Sequence, residues 1–514
     1  MFNATPLLRT YARRRLRQLA RAAPAETQTA ELLALVGKAR DTKFGRDHNF
    51  ANIRNVRDFQ DRVPLRRFED FWSEYWEPVF PHLGDCSWPG TIPYFAVTSG
   101  TTTGITKYIP CSADMMASNR KASFDLLCYH IHHRPQSRVL AGRTFMLGGS
   151  TDLTRLAPGN PGIHGGDLSG IAVRELPWWV RPRYFPPQSL ALIADWEEKI
   201  DRLAALSLQT DIRSISGTPS WLLIFFDKLA SMRESDGAEL VNYFPDLELL
   251  IHGGVNFAPY RKRFDDLLAG GHSELREVYP ASEGFIAVAD QGPDDGLRLM
   301  LDSGIFTEFV PVGELDAPNP TRHWVGNAET GINYAIILSN CSGMFGHILG
   351  DTVEFVTLDP PRLRVTGRTS YMLSPFGEHL IGAEIEDSVV KAADRIGATL
   401  TDYSVGALFS RAEGELGGHL YVIEFAHAAP DAGSVAVFAR TLDDALCETN
   451  EDYAAHRADG YGMNAPEIHA VPPGTFAAWM KSRGQLGGQH KVPRVINDLA
   501  LFDGLKAFVH HEGD

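Results

Sequence analysis

Residues 98–107 read Thr-Ser-Gly-Thr-Thr-Thr-Gly-Ile-Thr-Lys, and they lie between two segments, 92–97 and 107–110, that predict strands. This limits the fold. The usual nucleotide P-loop ends in Gly-Lys-Ser/Thr and opens a helix. Here Thr106 separates Gly104 and Ile105 from Lys107, and an extended segment follows, so the loop is held between strands of a sheet. Glycines let the backbone come close to an anion. Successive N–H groups form a concave nest for phosphate oxygens. The hydroxyls add donors, and Lys107 adds a point charge. The competing reading is an ordinary Gly/Thr surface hairpin.

A chain of 514 residues exceeds one core, so two or three domains are expected. Its net charge of -15 argues against a general nucleic-acid binder, because a phosphate backbone would be repelled, but it permits a local basic pocket. No apolar run approaches the ~18 residues needed to span a bilayer, so no membrane association is expected. The cysteines, Cys86, Cys111, Cys128, Cys341 and Cys447, are odd in number and match no zinc or redox spacing. They read as reduced thiols of a cytoplasmic protein. The first residues carry Arg9, Arg13, Arg14, Arg15, Arg17 and Arg21, with no acid before Glu26. That composition resembles a transit peptide. The repeat Leu7, Leu8, Tyr11, Leu16, Leu19 instead predicts an amphipathic helix with a solvated basic face, and it runs on without a cleavage-like break.

Residues 1–75 predict helices. Ser112 predicts the cap of a helix over 115–130, whose end carries His130, His132 and His133 as surface or capping groups. Helices are expected at 196–206, 221–233 and 260–268, with a strand at 247–252. Strands dominate from 277 to 365. Beyond Thr366 the texture changes, with strands at 404–410, 419–426 and 467–471 and helices at 385–393 and 434–449. The mixture predicts an α/β or α+β body. The domains are expected to be 1–367 and 368–514.

Further segments follow the loop in a fixed order. His252-Gly253-Gly254 closes a strand, where a glycine pair lets a flat ring approach the backbone. Tyr279-Pro280-Ala281-Ser282-Glu283-Gly284 sets a hydroxyl, a carboxylate and a glycine before a strand. Glu283 can hold Mg²⁺ against phosphate oxygens, since magnesium takes a few carboxylates plus phosphate and water. Asp351, after Leu349-Gly350, can accept from both ribose hydroxyls. Each has a plain structural alternative: a turn, a solvated carboxylate, the start of a strand. Their joint order is more specific than any one of them.

That order resembles the superfamily of acyl-adenylate-forming enzymes. Within it, the chain is similar to the auxin-responsive Gretchen Hagen 3 family of acyl acid amido synthetases, in a bacterial-looking form. The matching motifs are Ser99-Gly100-Thr101-Thr102-Thr103-Gly104 through Lys107, Tyr279 to Gly284, Phe306-Thr307-Glu308-Phe309-Val310-Pro311, Gly350-Asp351, and Gln489-His490-Lys491-Val492-Pro493-Arg494. Phe306 stands where the family pattern suggests Tyr. The 367–386 stretch looks closer to acyl-CoA synthetases. The resemblance implies a large N-terminal adenylation domain of sheets flanked by helices, a smaller mobile C-terminal α+β domain, and a monomer. It implies ATP and Mg²⁺ as cofactors, and a carboxylic acid and an amino acid as substrates. It implies that Ser99, Gly100, Thr101, Thr102, Thr103 and Lys107 hold phosphates, and that Gly253 and Gly254 border adenine. Tyr279 and Phe306 would lie near the nucleotide, with Ser282 and Glu283 at the α-phosphate and metal. Asp351 would bind ribose with Arg368 nearby at a hinge, and Lys491 would reach the α-phosphate. The acid pocket is expected within 115–230, including Trp221 and Leu222. An acyl-CoA ligase and a non-catalytic nucleotide-binding regulator are the alternative functions.

Overall fold

The computed structural model describes the chain except residues 1, 100–105, 149–151, 159–161, 179, 188–189, 191–192, 194–195, 234–236, 255–256, 258–259, 293–294, 316, 370–372, 374, 376–377, 379, 410–416, 458–462, 486–490 and 512–514. It divides into two compact units. One takes in residues 1–100, 104–255 and 268–365, and the other 366–514 with the short segment 256–267. That segment had been expected in the N-terminal domain. It groups with the second unit, where the Tyr260 hydroxyl accepts from Arg494 Nη2 at 3.1 Å.

The larger unit is organised on a twelve-stranded mixed sheet. One end is parallel, formed by Tyr184–Phe185, Arg143–Leu147, Ile212–Gly217, Leu249–Gly253 and Glu274–Ala281. Parallel neighbours need long crossovers. Helices Trp196–Ser207 and Pro219–Met232 lie in those connections. A two-residue hairpin at Ser282-Glu283 then reverses the chain into Gly284–Val288. The sheet continues through Leu297–Leu299, Pro361–Arg368, His347–Leu358, Asn333–Asn340, Ile305–Pro311 and His323–Trp324. Ala335 to Leu338 is an unbroken apolar run with every residue buried, so that strand is covered on both faces. A second sheet orders Thr106–Cys111, Tyr94–Ser99, Ile163–Gly166 and Thr154–Ala157. An aromatic core with Phe44, Phe59, Phe71, Trp76, Phe95, Phe306 and Phe345 fills the space around its first strands.

The first helix, Thr5–Arg21, forms as its periodicity predicts, and Leu8, Leu16 and Leu19 of the expected stripe turn to the core. Thr5, Leu8, Ala12 and Arg15 point inward, while Leu7 is 68% and Tyr11 44% exposed. Arg15 turns inward beside them because two carboxylates, Asp125 and Asp302, wait for it inside. Ser112 caps helix Ala113–His133 by accepting from Met115 N at 3.0 Å, as the sequence implies. His130 is a correction. It is fully buried, with Nδ1 2.5 Å from Glu274 and Nε2 2.9 Å from Ser137 Oγ, so it ties helix to sheet and is not a surface group.

The smaller unit has a sheet ordered Glu467–Val471, Gly418–Phe425, Leu400–Leu408 and Val495–Ile496. Helices Gly382–Arg395 and Ala432–Thr449 contribute to its core through Ile385, Val389, Phe438 and Leu442. Among the described residues no helix is long and apolar enough to cross a membrane.

Candidate active site

Strands Tyr94–Ser99 and Thr106–Cys111 pair antiparallel in register from Tyr94 with Cys111 to Ser99 with Thr106. They bring the ends of the Gly/Thr loop together, as a loop between two strands requires. Gly100, Thr101, Thr102 and Thr103 themselves, and the Ser99 side chain, lie outside the described residues. Lys107, just past the loop, is held by Glu69, with Nζ 2.8 Å from Oε1. Its ammonium also sits 5.3 Å from the centre of the Phe68 ring. Burial raises the Glu69 carboxyl, but the Lys107 hydrogen bond and charge outweigh it, and the net shift is downward.

Ser282 and Glu283 form the tip of the tight hairpin between Glu274–Ala281 and Gly284–Val288. Gly284 has φ +148°, a backbone conformation that favours glycine. Asn340 fixes the tip. Its Nδ2 donates to the Glu283 carbonyl at 2.8 Å, while its Oδ1 accepts from Ser342 and Met344 N–H groups. The Glu283 carboxylate lies 3.8 Å from His347 Nε2. His347 also acts electrostatically on Glu69. Lys107, Glu69, His347 and Glu283 thus form one neighbourhood.

Asp351 is aimed by a bulge. Between the pairs Ala335 with Thr352 and Ile337 with Ile348, strand His347–Leu358 carries extra residues, and Gly350 takes φ +93°. Such a bulge re-aims the side chains beside it. Asp351 Oδ2 accepts from the Tyr279 hydroxyl at 2.7 Å, joining two motifs 72 residues apart. Gly253 ends its strand where a Cβ would stand 2.2 Å from the Val278 carbonyl oxygen, and Gly254 has φ +86°. That glycine pair is explained by close backbone packing and a left-handed turn.

Some expectations fail. Phe306 is 0% exposed and packs edge-on to Phe59, with ring centres 6.0 Å apart. An enclosed ring has no face to offer a nucleotide, so Phe306 belongs to the core. Leu222 is also fully buried and cannot line a pocket as placed. Glu308 of the same motif as Phe306 is wholly buried and paired with Arg322 at 2.8 Å. Burial pushes the Cys111 and Cys128 thiols up to about 12, so they stay protonated at neutral pH. Arg368 closes strand Pro361–Arg368, and in the smaller unit Lys491 is exposed just before Arg494. Arg494 is anchored to Glu386 at 2.6 Å and Asp402 at 3.3 Å.

Glu69, His347 and Asn340 were missed by sequence reasoning. His347 carries a signal in retrospect, since it stands four positions before Asp351 in one strand. Glu69 and Asn340 carry none, because only folding brings them to Lys107 and Glu283. Among the described residues no group of three His, Cys, Asp or Glu could hold a metal alone. A lone Glu283 carboxylate suits a magnesium ion that takes its remaining ligands from phosphate and water.

Similarity to known proteins agrees with this geometry. The chain matches the GH3 family N-terminal domain over 13–151, its central domain over 298–368 and its C-terminal domain over 383–500. It is similar to a solved GH3.15 acyl acid amido synthetase, with TM-score 0.79, 17% identity, 96% of this chain and 94% of that chain covered. A complex of AtGH3.15 with 2,4-DB gives TM-score 0.80 at 17% identity, covering 96% and 95%. A 2-hydroxyisobutyryl-CoA ligase in the postadenylation state with 2-HIB-AMP gives 0.62 at 14%, covering 95% and 92%. At such identities the solved structures establish the fold alone, a mixed α/β body. The family matches go further, and with all three domain models found in order the chain belongs to the GH3 family.

Proposed function

We propose that this protein is an ATP-dependent acyl acid amido synthetase. The observation that carries the reading is the grouping, within a GH3-family chain, of Lys107 and the Glu283 hairpin tip through Glu69 and His347, together with the Tyr279–Asp351 hydrogen bond.

A carboxylate is a poor electrophile at neutral pH. Its oxygen attacks the α-phosphorus of ATP and pyrophosphate leaves. The resulting acyl-AMP is then attacked at its carbonyl by an amino-acid amine, and AMP leaves. The protein supplies position and charge stabilisation. Ser99, Gly100, Thr101, Thr102, Thr103 and Lys107 would hold the phosphates. Lys107 would exchange its Glu69 partner for phosphate oxygen, two anionic partners competing for one ammonium. Gly253 and Gly254 would border adenine. Asp351, held by the Tyr279 hydroxyl, would bind the ribose. Ser282 and Glu283 would act at the α-phosphate. Magnesium bound through Glu283 would neutralise charge on the departing pyrophosphate. Arg368 would lie at the hinge of a C-terminal domain beginning at residue 368, and Lys491 on that domain would approach the α-phosphate. Lys491→Ala should then impair adenylation more than amide formation from preformed acyl-adenylate.

The test is carboxylate-dependent exchange of labelled pyrophosphate into ATP across aryl, indolyl and aliphatic acids. AMP release is then followed with amino acids or with coenzyme A. Exchange that turns over with an amine supports the synthetase. Turnover with the thiol alone moves the assignment to an acyl-CoA ligase. ATP binding without exchange for any acid would leave a nucleotide-binding regulator.

A further inference from the structure

We propose that a cleft beside the end of the first helix binds a multiply charged, phosphate-bearing anion. The cleft, about 570 Å³, is lined by Arg14, Arg17, Gln18, Arg21, Thr27 and Asp302. The three arginines follow i, i+3 and i+7, which stacks them in one stripe along the helix. All three are exposed, and none has a carboxylate partner among the described residues. Arg17 Nε donates to the Arg13 carbonyl at 2.9 Å, which steadies its guanidinium without neutralising it.

Asp302 is the one acid in the cleft wall, and it is already engaged. It accepts from Arg15 at 2.8 Å and faces Lys121 Nζ at 3.0 Å. Arg15 and Lys121 face Asp125 and Asp302, with Glu31 also acting electrostatically on Lys121 and Asp302. Asp302 is thus committed to Arg15 and Lys121, and the three guanidiniums of the stripe have no ion-pair partner among the described residues. The helix dipole accounts for a cation in the last turn, which is Arg21. It does not account for Arg14 and Arg17, because the dipole effect fades beyond that turn.

The geometry also selects the ligand class. Guanidinium forks match phosphate oxygens in pairs. A stripe seven residues long spans about 10 Å at the helical rise, more than one phosphate can bridge. A chain of phosphates, or a lipid headgroup bearing several, fits that reach, and Gln18 offers amide hydrogen bonds beside it. The site makes no use of Lys107 or Glu283 and stands independently of the proposed reaction.

The experiment titrates the full chain with inorganic tripolyphosphate by calorimetry. In parallel, the protein is sedimented with phosphatidylcholine vesicles with and without phosphatidylinositol bisphosphate. Charge reversal at Arg14, Arg17 and Arg21 to Glu should weaken binding at least about tenfold, since each charge-assisted pair is lost. Lys107→Ala should leave that binding in place, as should Arg395→Glu, an exposed control. The milder pair Arg14→Gln and Arg17→Gln guards against a misfolded triple variant. Tripolyphosphate binding without vesicle binding names a soluble anion, and binding only to phosphoinositide vesicles names a headgroup. Binding in neither arm, or binding that depends on Lys107 and ignores the arginines, would overturn the proposal.

Discussion

Two charge clusters in the larger unit use the same kinds of residue to opposite ends. Around Arg15 the bonding is complete. Its guanidinium donates to both Asp125 oxygens at 2.7 and 2.6 Å and to both Asp302 oxygens at 2.8 Å, with Asp125 fully buried. Around Lys107 the bonding is loose. One contact to Glu69 at 2.8 Å involves a carboxylate 47% exposed, and Glu283 reaches His347 only at 3.8 Å. The first set cannot admit a ligand without leaving a buried charge unpaired, which is costly. The second can exchange partners at little cost. Saturation of bonding, more than residue identity, separates scaffold from site.

The sharpest way to break this contrast is to damage both clusters and compare stability with activity. Asp125→Ala should lower unfolding free energy by about 3 kcal/mol, because it strips a buried partner from Arg15. A loss below about 1 kcal/mol by urea unfolding would show the cluster to be less closed than its geometry. Glu283→Gln should barely move the midpoint yet slow pyrophosphate exchange about a hundredfold, the usual scale for one lost charge-stabilising group. A large stability loss with normal exchange per folded molecule would make Glu283 scaffold. Tyr279→Phe removes a hydrogen bond to a carboxylate and frees Asp351 to move. The KM for ATP should rise about tenfold with kcat changed less, on the scale of one such bond. A kcat effect alone would contradict a ribose-positioning role.

The smallest effect is in pH dependence. Burial raises the Asp302 carboxyl, but Arg15 and Lys121 prevail and bring it down to about 2 from 3.8. A group depressed on folding stabilises above its unfolded pKa, and that contribution is lost as pH falls through the folded value. Wild type should therefore lose stability steadily from about pH 4 toward pH 2, and Asp302→Asn should flatten that slope. Equal slopes in the two proteins would place the acid sensitivity elsewhere.

Much of the smaller unit's plan was legible from local pattern. Strand Glu467–Val471 and helix Ala432–Thr449 lie at or next to their expected limits, since each has a clear period and boundary signals. Strand Ile305–Pro311 was equally readable, but the role of its members was not. Phe306 fits a motif position beside a nucleotide, while the fold turns that face into an aromatic core. His130 read as a surface group because nothing in its own helix names Glu274, 144 residues away, as its partner.

The sequence by itself determined the alternation of strands and helices, the loop between two strands and the family order of motifs, because these depend on neighbours a few residues apart. Only the tertiary structure decided that Glu69 holds Lys107, that Asn340 pins the Glu283 tip and that a bulge aims Asp351 at Tyr279. The same holds for Arg15, which a helical wheel would place in water. Its burial depends on two carboxylates supplied by distant elements, and hydrogen bonding to a charge is settled by what surrounds it in space.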